Sequence, residues 1–285
     1  MKIVKLDQAS LKQQRKRSAP SVIALGFFDG LHLGHQRVIE TAKMEAEKRG
    51  LSLACMSFAP HPKQVIGNME EFPYLIPLDK KVQTLRELGV DIFYIVSFDK
   101  RFASLPPKQF VKNYLLDFQV KCAVAGFDFT YGHRGIGKIN QMREDTDGQM
   151  DVIRVDPVTY RGQEISSTII RSCIENGQMS KVIHYLGEDY EVEGTINIEE
   201  NKVHIQLDRD YLLPKEGHYV VHLTTDVLMW RQIVVVHDGD IQFPFSFIHA
   251  DKLKTGMKIK MTWKTEILHS PHSLADNGVP LSAVL

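Results

Sequence analysis

Val22-Ile23-Ala24-Leu25-Gly26-Phe27-Phe28-Asp29-Gly30-Leu31-His32-Leu33-Gly34-His35 is the stretch on which the fold turns. From Val22 to Leu25 the chain is unbroken apolar sequence, the pattern of a strand buried on both faces. A turn containing Gly26 and Gly30 follows. Beyond it, Val38, Ile39, Ala42 and Ala46 recur on one helical face, and Gly50 stands where it can stop that helix. The same unit then repeats outward. Residues 51–58 read as the next strand. Val82, Leu85 and Leu88 mark a helix closed by Gly89, and residues 90–98 return as a strand. Pro106 and Pro107 open a further helix carrying Phe110, Val111, Tyr114 and Leu115, ahead of a strand at residues 122–126. Strands alternating with helices predict a doubly wound α/β domain on a parallel sheet.

Past about residue 190 the rhythm changes. Short β-like runs at 202–207, 218–223, 233–236 and 257–263 are separated by Gly, Asp and Pro turns, which predicts a smaller antiparallel barrel or sandwich. The expected domains are therefore residues 1–187 and 188–285.

Composition narrows the class. With 285 residues, 43% of them hydrophobic and 25% charged, the chain has the make-up of a globular protein of about two domains. Lys+Arg of 35 against Asp+Glu of 35 removes the broad basic field of a general nucleic-acid binder. The cluster Lys12, Arg15, Lys16 and Arg17 reads as a solvated face. No apolar run approaches the ~20 residues a bilayer span needs, and residues 1–7 lack a secretory apolar stretch, so a cytoplasmic protein without membrane contact is expected. Cys55, Cys122 and Cys173 are too scattered for a disulfide framework or metal knuckle and read as buried filler. His269-Ser270-Pro271-His272 lacks a third ligand and reads as a surface turn, so no protein metal site is expected. Trp230 and Trp263 are expected in the core.

Four segments carry chemistry. The first is residues 26–35, at the junction where α/β sheets bind phosphates: backbone N–H groups at a helix start attract anions, and Gly34 admits close approach. His32 and His35, three apart on an opening helical turn, can point the same way; the plain alternative is two surface histidines. The second is Ile165-Ser166-Ser167-Thr168-Ile169-Ile170-Arg171, hydroxyls at a helix start with an arginine one turn inside. It is either a phosphate clamp or simple N-capping. The third is residues 126–138, including Asp128, Phe129, Tyr131 and Arg134, where glycines predict mobility while aromatics and cations suit a planar phosphorylated ligand. The fourth is Ser57-Phe58-Ala59-Pro60-His61-Pro62, a rigid turn with a histidine.

Together these segments resemble the adenylyltransferase half of the bacterial bifunctional riboflavin kinase/FMN adenylyltransferase family, the FAD synthetases, over roughly residues 22–187. The family's Gly-x-Phe-Asp-Gly-x-His-x-Gly-His is matched from Gly26 to His35, its Thr-Phe-x-Pro-His-Pro from Ser57 to Pro62, its Gly-x-Asp-Phe-x-Phe-Gly from Gly126 to Gly132, and its Ile-Ser-Ser-Thr-x-Ile-Arg from Ile165 to Arg171. Ser57 replaces threonine, Tyr131 replaces phenylalanine, and Thr130 stands where a basic residue is common, with Arg134 and Lys138 near enough to compensate. The resemblance implies a Rossmann-like nucleotidyltransferase domain with a parallel sheet, followed by an antiparallel β-barrel. It also implies transfer of AMP from ATP to FMN, giving FAD and pyrophosphate with Mg2+. By the same resemblance His32, His35 and Arg171 are catalytic, while Gly26, Phe27, Asp29, Gly34, Ser166, Ser167 and Thr168 bind ATP. Phe58, Pro60, His61, Asp128, Phe129, Tyr131 and Arg134 would face FMN.

One family feature is missing. The kinase half carries a Gly-x-Pro-Thr-Ala-Asn segment, and the chain crosses that place, from Tyr190 to Lys202, without it. A degenerate barrel without riboflavin kinase activity is expected. The rival expectations are a flavin-sensing regulator derived from such an enzyme and a nucleotidyltransferase acting on another phosphorylated substrate.

Overall fold

The structure, a computed structural model, describes residues 1–67, 69, 72–200, 202–208, 211–245 and 252–267. The chain forms two compact units, Met1–Phe72 with Leu78–Ile165, and Pro73–Pro77 with Ser166–Leu285. Residues 166–187 thus fall in the unit that holds the barrel, whereas the sequence pattern places them with the α/β domain. The helix Ser167–Glu175 packs on the helix Met179–Leu186, which in turn lies on the strand Lys258–Ile267.

The first unit is a six-stranded sheet of β1 (Lys2–Leu6), β2 (Ser21–Leu25), β3 (Ser52–Ala59), β4 (Ile92–Ser97), β5 (Val120–Gly126) and β6 (Asp151–Val155), in the order β1-β4-β3-β2-β5-β6. Every neighbouring pair is parallel. All five residues of β2 are buried, as its unbroken apolar run predicts for a strand covered on both faces. From β2 the chain proceeds one way to β3 and β4 and later the other way to β5 and β6, so β2 lies at the point where the winding reverses. In open α/β sheets that reversal leaves a crevice beyond the carboxyl ends of the strands.

Helices α1 (Gln8–Lys16), α2 (Leu33–Arg49), α3 (Leu78–Glu87) and α4 (Pro107–Tyr114) belong to this unit. Helix α2 packs on β2, β3 and β5 through Val38, Ile39, Ala42 and Ala46, and ends at Gly50, whose φ of 62° is the left-handed conformation glycine tolerates. Pro106 precedes α4, and Phe110, Val111 and Tyr114 are buried. Strands β1 and β6 and helix α1 are not announced by the sequence pattern. Helix α1 starts at a capping box in which the Asp7 carboxylate accepts from Ser10 N at 2.7 Å. Lys12, Lys16 and Arg17 are exposed, while Arg15 pairs with Asp117 at 3.0 Å.

The second unit contains α5 (Ser167–Glu175), α6 (Met179–Leu186) and a closed antiparallel barrel. Its strands are β7 (Glu191–Glu199), β8 (Lys202–Leu207), β9 (Gly217–Thr224), β10 (Met229–His237), β11 (Asp240–Pro244) and β12 (Lys258–Ile267), ordered β7-β8-β11-β10-β9-β12 with β12 pairing back to β7. Closure settles barrel over sandwich. Trp263 and Tyr219, edge to face at 5.3 Å, fill the interior with Phe243; Trp230 is only half-buried. Helix α6 lies on β12, where Ser180 N and Oγ donate to the Glu266 carboxylate, each at 3.1 Å. All three cysteines are buried and free. The His269–His272 pair lies outside the described residues. Among the described residues no helix is long and apolar enough to cross a membrane.

Candidate active site

Three of the four motif segments lie in the first unit, each leaving the carboxyl end of a strand: residues 26–35 after β2, 57–62 at the end of β3, and 126–138 after β5. These strands are adjacent and parallel, in the order β3-β2-β5, so the three segments emerge side by side at one edge of the sheet.

The turn after β2 is held tightly. Phe28 (φ 54°) and Leu31 (φ 44°) have left-handed backbone although neither is glycine, and both are buried. Such backbone persists only where packing over-determines it. A Cβ on Gly26 would meet the Phe28 ring at 2.8 Å, so glycine is needed for that close approach. The Phe27 carbonyl accepts from Ser57 Oγ at 2.7 Å and from Lys81 Nζ at 2.9 Å. Asp29 is 3% exposed.

His32 caps α2. Its Nδ1 accepts from the His35 backbone N–H at 3.3 Å, so the neutral ring carries its proton on Nε2. The His32 and His35 rings stack at 3.6 Å with 19° between planes, and His35 meets the Phe28 ring edge-on at 5.3 Å. Burial pulls His32 down to about 4. It pulls His35 well below the ordinary histidine value, helped by the neighbouring His32 ring and the Lys81 ammonium, so both rings are neutral near pH 7. Among the described residues His35 Nδ1 is buried without a hydrogen-bond partner. A Cβ on Gly34 would lie 3.1 Å from His32 Cε1 and Nδ1, so the space at this glycine is used by the capping imidazole.

At the end of β3, His61 caps the short helix Pro62–Ile66, its Nδ1 accepting from Lys63 N at 3.1 Å. Its ring stacks on Phe72 at 3.6 Å and meets Phe27 edge-on at 4.3 Å, which joins this segment to the turn after β2. Pro60 is exposed. Phe58, expected to face a ligand, instead packs towards the core against Phe102 at 5.6 Å and Phe98 at 6.3 Å.

After β5 the structure corrects two expectations. Residues 126–138 are not a loose glycine loop: Thr130–Tyr131 and Gly137–Lys138 pair as a short hairpin. Gly132 (φ 73°) and Gly135 (φ 65°) turn the chain, and Gly137 lies flat under the Tyr131 ring. Tyr131 is core rather than ligand-facing, 5% exposed with its hydroxyl donating to Asp145 at 2.6 Å. Burial and that carboxylate push the phenol upward. Phe129 is half-buried beside it, while Asp128 and Arg134 are exposed.

Residues 166–171 lie in the second unit. Ser166 Oγ accepts from Ile169 N at 3.4 Å, so this hydroxyl caps α5. Thr168 is exposed, Ser167 half-buried, and Arg171 Nη1 donates to the Pro73 carbonyl at 2.8 Å.

Two side chains at the first unit's site were absent from the sequence reading. Phe72 carries no local signal. Lys81 carried one: it precedes Leu85 by four residues, so it shares the buried face of α3, and a lysine there marks a buried charge.

A parallel sheet with a histidine-bearing turn and a helix N-terminus at its reversal point has the arrangement with which α/β proteins bind nucleotide phosphates, and the family comparisons make it that of a nucleotidyltransferase. Residues 14–169 match the FAD synthetase family. The chain is 41% identical over 216 residues to a bifunctional riboflavin kinase/FMN adenylyltransferase of Bacillus subtilis, covering 73% of this chain and 68% of that protein. It is 42% identical over 209 residues to the protein of the same description in Listeria monocytogenes, covering 70% and 67% respectively. A FAD synthetase of Listeria monocytogenes is 30% identical over 206 residues, 72% of this chain and 82% of that one. A solved structure described as a macrolide-efflux protein from Streptococcus pneumoniae shares the fold with a TM-score of 0.81 at 26% identity, covering 94% of this chain and all (100%) of that one. The chain belongs to the FAD synthetase family.

Proposed function

We propose that the chain is a cytoplasmic FMN adenylyltransferase that transfers AMP from MgATP to FMN, releasing pyrophosphate and FAD, and that it lacks riboflavin kinase activity. The observation that carries the reading is the emergence of residues 26–35, 57–62 and 126–138 from the carboxyl ends of three adjacent parallel strands at the reversal of the sheet.

The chemistry needs no protein nucleophile. A phosphate oxygen of FMN attacks the α-phosphorus of ATP in line, the bond from that phosphorus to the α,β-bridging oxygen breaks, and pyrophosphate leaves with the electron pair. The protein's part is alignment and stabilisation of charge on the α-phosphoryl oxygens. His32 suits this role because its capped Nδ1 leaves Nε2–H as a fixed donor. His35 stacks beside it, and the backbone N–H groups that begin α2 add to the anion site. Gly26, Phe27, Asp29 and Gly34 complete the nucleotide side in this reading. Magnesium arrives as part of the substrate, held chiefly by phosphate oxygens and water. Pro60, His61, Asp128, Phe129 and Arg134 serve the FMN side, with Phe58 and Tyr131 supporting it from the core. Assignment of Ser166, Ser167, Thr168 and Arg171 to the β- and γ-phosphates is a separate proposal, supported by their match to the family motif at the start of α5.

The absence of kinase activity is supported by the barrel itself. Glu199 on β7 pairs with Lys202 on β8, so only Glu200 and residue 201 connect the strands. A hairpin this short has no room for a phosphate-binding loop. The test is incubation with ATP, Mg2+ and either FMN or riboflavin, with the flavins resolved by chromatography. FAD from FMN and no FMN from riboflavin is the expected result. FMN formed from riboflavin overturns the kinase claim, and flavin binding without any product favours the sensor.

A further inference from the structure

Lys81 is 3% exposed on α3, and its ammonium lies 4.8 Å from the centre of the Phe27 ring while donating to the Phe27 carbonyl. The Ser57 hydroxyl donates to the same oxygen from β3. Burial pulls this lysine down to about 8, opposed chiefly by the Asp29 carboxylate in the turn, so it remains mostly protonated at pH 7. A buried ammonium carries a desolvation cost that methionine, of similar length, would avoid. Stability alone therefore does not explain a lysine here.

Geometry does. The residue after the doubly gripped carbonyl is Phe28, whose left-handed backbone carries a fully buried ring to the edge of His35. That conformation is intrinsically unfavourable for phenylalanine and requires outside constraint. Two donors converging on the preceding carbonyl supply it.

We propose that Lys81 is a positioning residue of the nucleotidyltransferase site: its buried ammonium, acting with the Ser57 hydroxyl on one carbonyl oxygen, holds the turn after β2 in the conformation that stacks His32 on His35. The inference rests on the adenylyl-transfer reading for its kinetic readout only. The charged and titratable groups around the lysine are Asp29 from the turn, Cys55 from β3 and His35 from α2.

The test compares full-length wild type with Lys81→Met and Lys81→Arg by imidazole NMR, steady-state FAD formation and thermal unfolding. In the wild type, His32 is expected to be neutral at pH 6 with its proton on Nε2. In Lys81→Met, the His32 and His35 signals should move and kcat should fall about 10²-fold, the scale of a roughly 1 Å misplacement. KM for FMN should stay within about twofold. Lys81→Arg, which keeps a cation and donors, should recover part of the rate. Wild-type imidazole signals in Lys81→Met overturn the proposal, as does a rate loss no larger than the loss of folded protein. If Lys81→Met does not fold, Ser57→Ala removes the other donor to the same oxygen, and unchanged imidazole signals in that variant overturn the proposal equally. A wild type that makes no FAD overturns the adenylyl-transfer reading, while the imidazole comparison still decides the role of Lys81.

Discussion

Among the described residues His35 Nδ1 is buried without a hydrogen-bond partner, and such a nitrogen is a cost to folding rather than a contribution. His35→Ala should therefore melt close to the wild type. It should also lose a donor from the transition state, a deficit of about 2.7–4 kcal/mol, or about 10²–10³ in kcat. Circular-dichroism melting beside chromatographic assay of FAD separates the two effects, and near-normal turnover would remove His35 from the reaction. His32 adds a pH dependence. Unfolded, its ring takes up a proton near 6.5; folded, only near about 4. Between those values the unfolded chain binds more protons, so stability falls as pH drops from about 6.5 to about 4. His32→Asn keeps a cap acceptor and loses the titrating ring. Its Tm should decline less steeply than the wild type's across that window; equal slopes would show that the folded ring titrates normally.

The first turn of α2 carries two demands at once. It must begin a helix, for which Gly34 is a poor residue, and it must leave room for the capping ring of His32. Alanine at position 34 gains up to about 1 kcal/mol of helix propensity, but its Cβ would press on His32 Cε1 and Nδ1 from 3.1 Å. Gly34→Ala is expected to melt near or slightly above the wild type while kcat drops about tenfold or more, since displacement of a catalytic group by a few tenths of an ångström already costs rate. Unchanged kcat with raised Tm would show that the ring is not held by this contact. Element by element, legibility in the sequence followed burial. Strand β2 was readable because both faces are covered, and α2 because Val38, Ile39, Ala42 and Ala46 repeat at helical spacing. Strand β1 buries only Val4 and Leu6 between lysines, so its five residues carry too weak a pattern. Tyr131 looked like a ligand contact because aromatic residues in glycine-rich segments fit either role; only Asp145, fourteen residues on, reveals its hydroxyl as part of the core.

At the scale of the molecule, the motifs and the contacts divide the chain differently. The family match ends at residue 169, and the sequence pattern suggests a boundary at 187, yet α5 and α6 belong to the same compact unit as the barrel. The reason is hydrophobic: Met179, Val182, Tyr185 and Leu186 are all at most 8% exposed, and their helix lies on β12. The second unit also includes Pro73–Pro77, where Tyr74 bridges Tyr211 and its carbonyl accepts from Leu212 N at 3.2 Å. No pattern local to residues 73–77 announces such partners. A chain ended after Gly187 would keep every family motif but strip β12 from α6, and Tyr211 and Leu212 from Tyr74. Exposing large apolar side chains costs about 1.5–3 kcal/mol each. Several of them together consume much of the roughly 5–15 kcal/mol by which a domain is stable. The 1–187 fragment is accordingly expected to aggregate or melt without a cooperative transition. Size-exclusion chromatography and a thermal melt check this against the full chain. A monomeric, cooperatively melting fragment that still converts FMN to FAD would show that α5 and α6 satisfy their apolar faces without the barrel, and that the motif boundary is also the folding boundary.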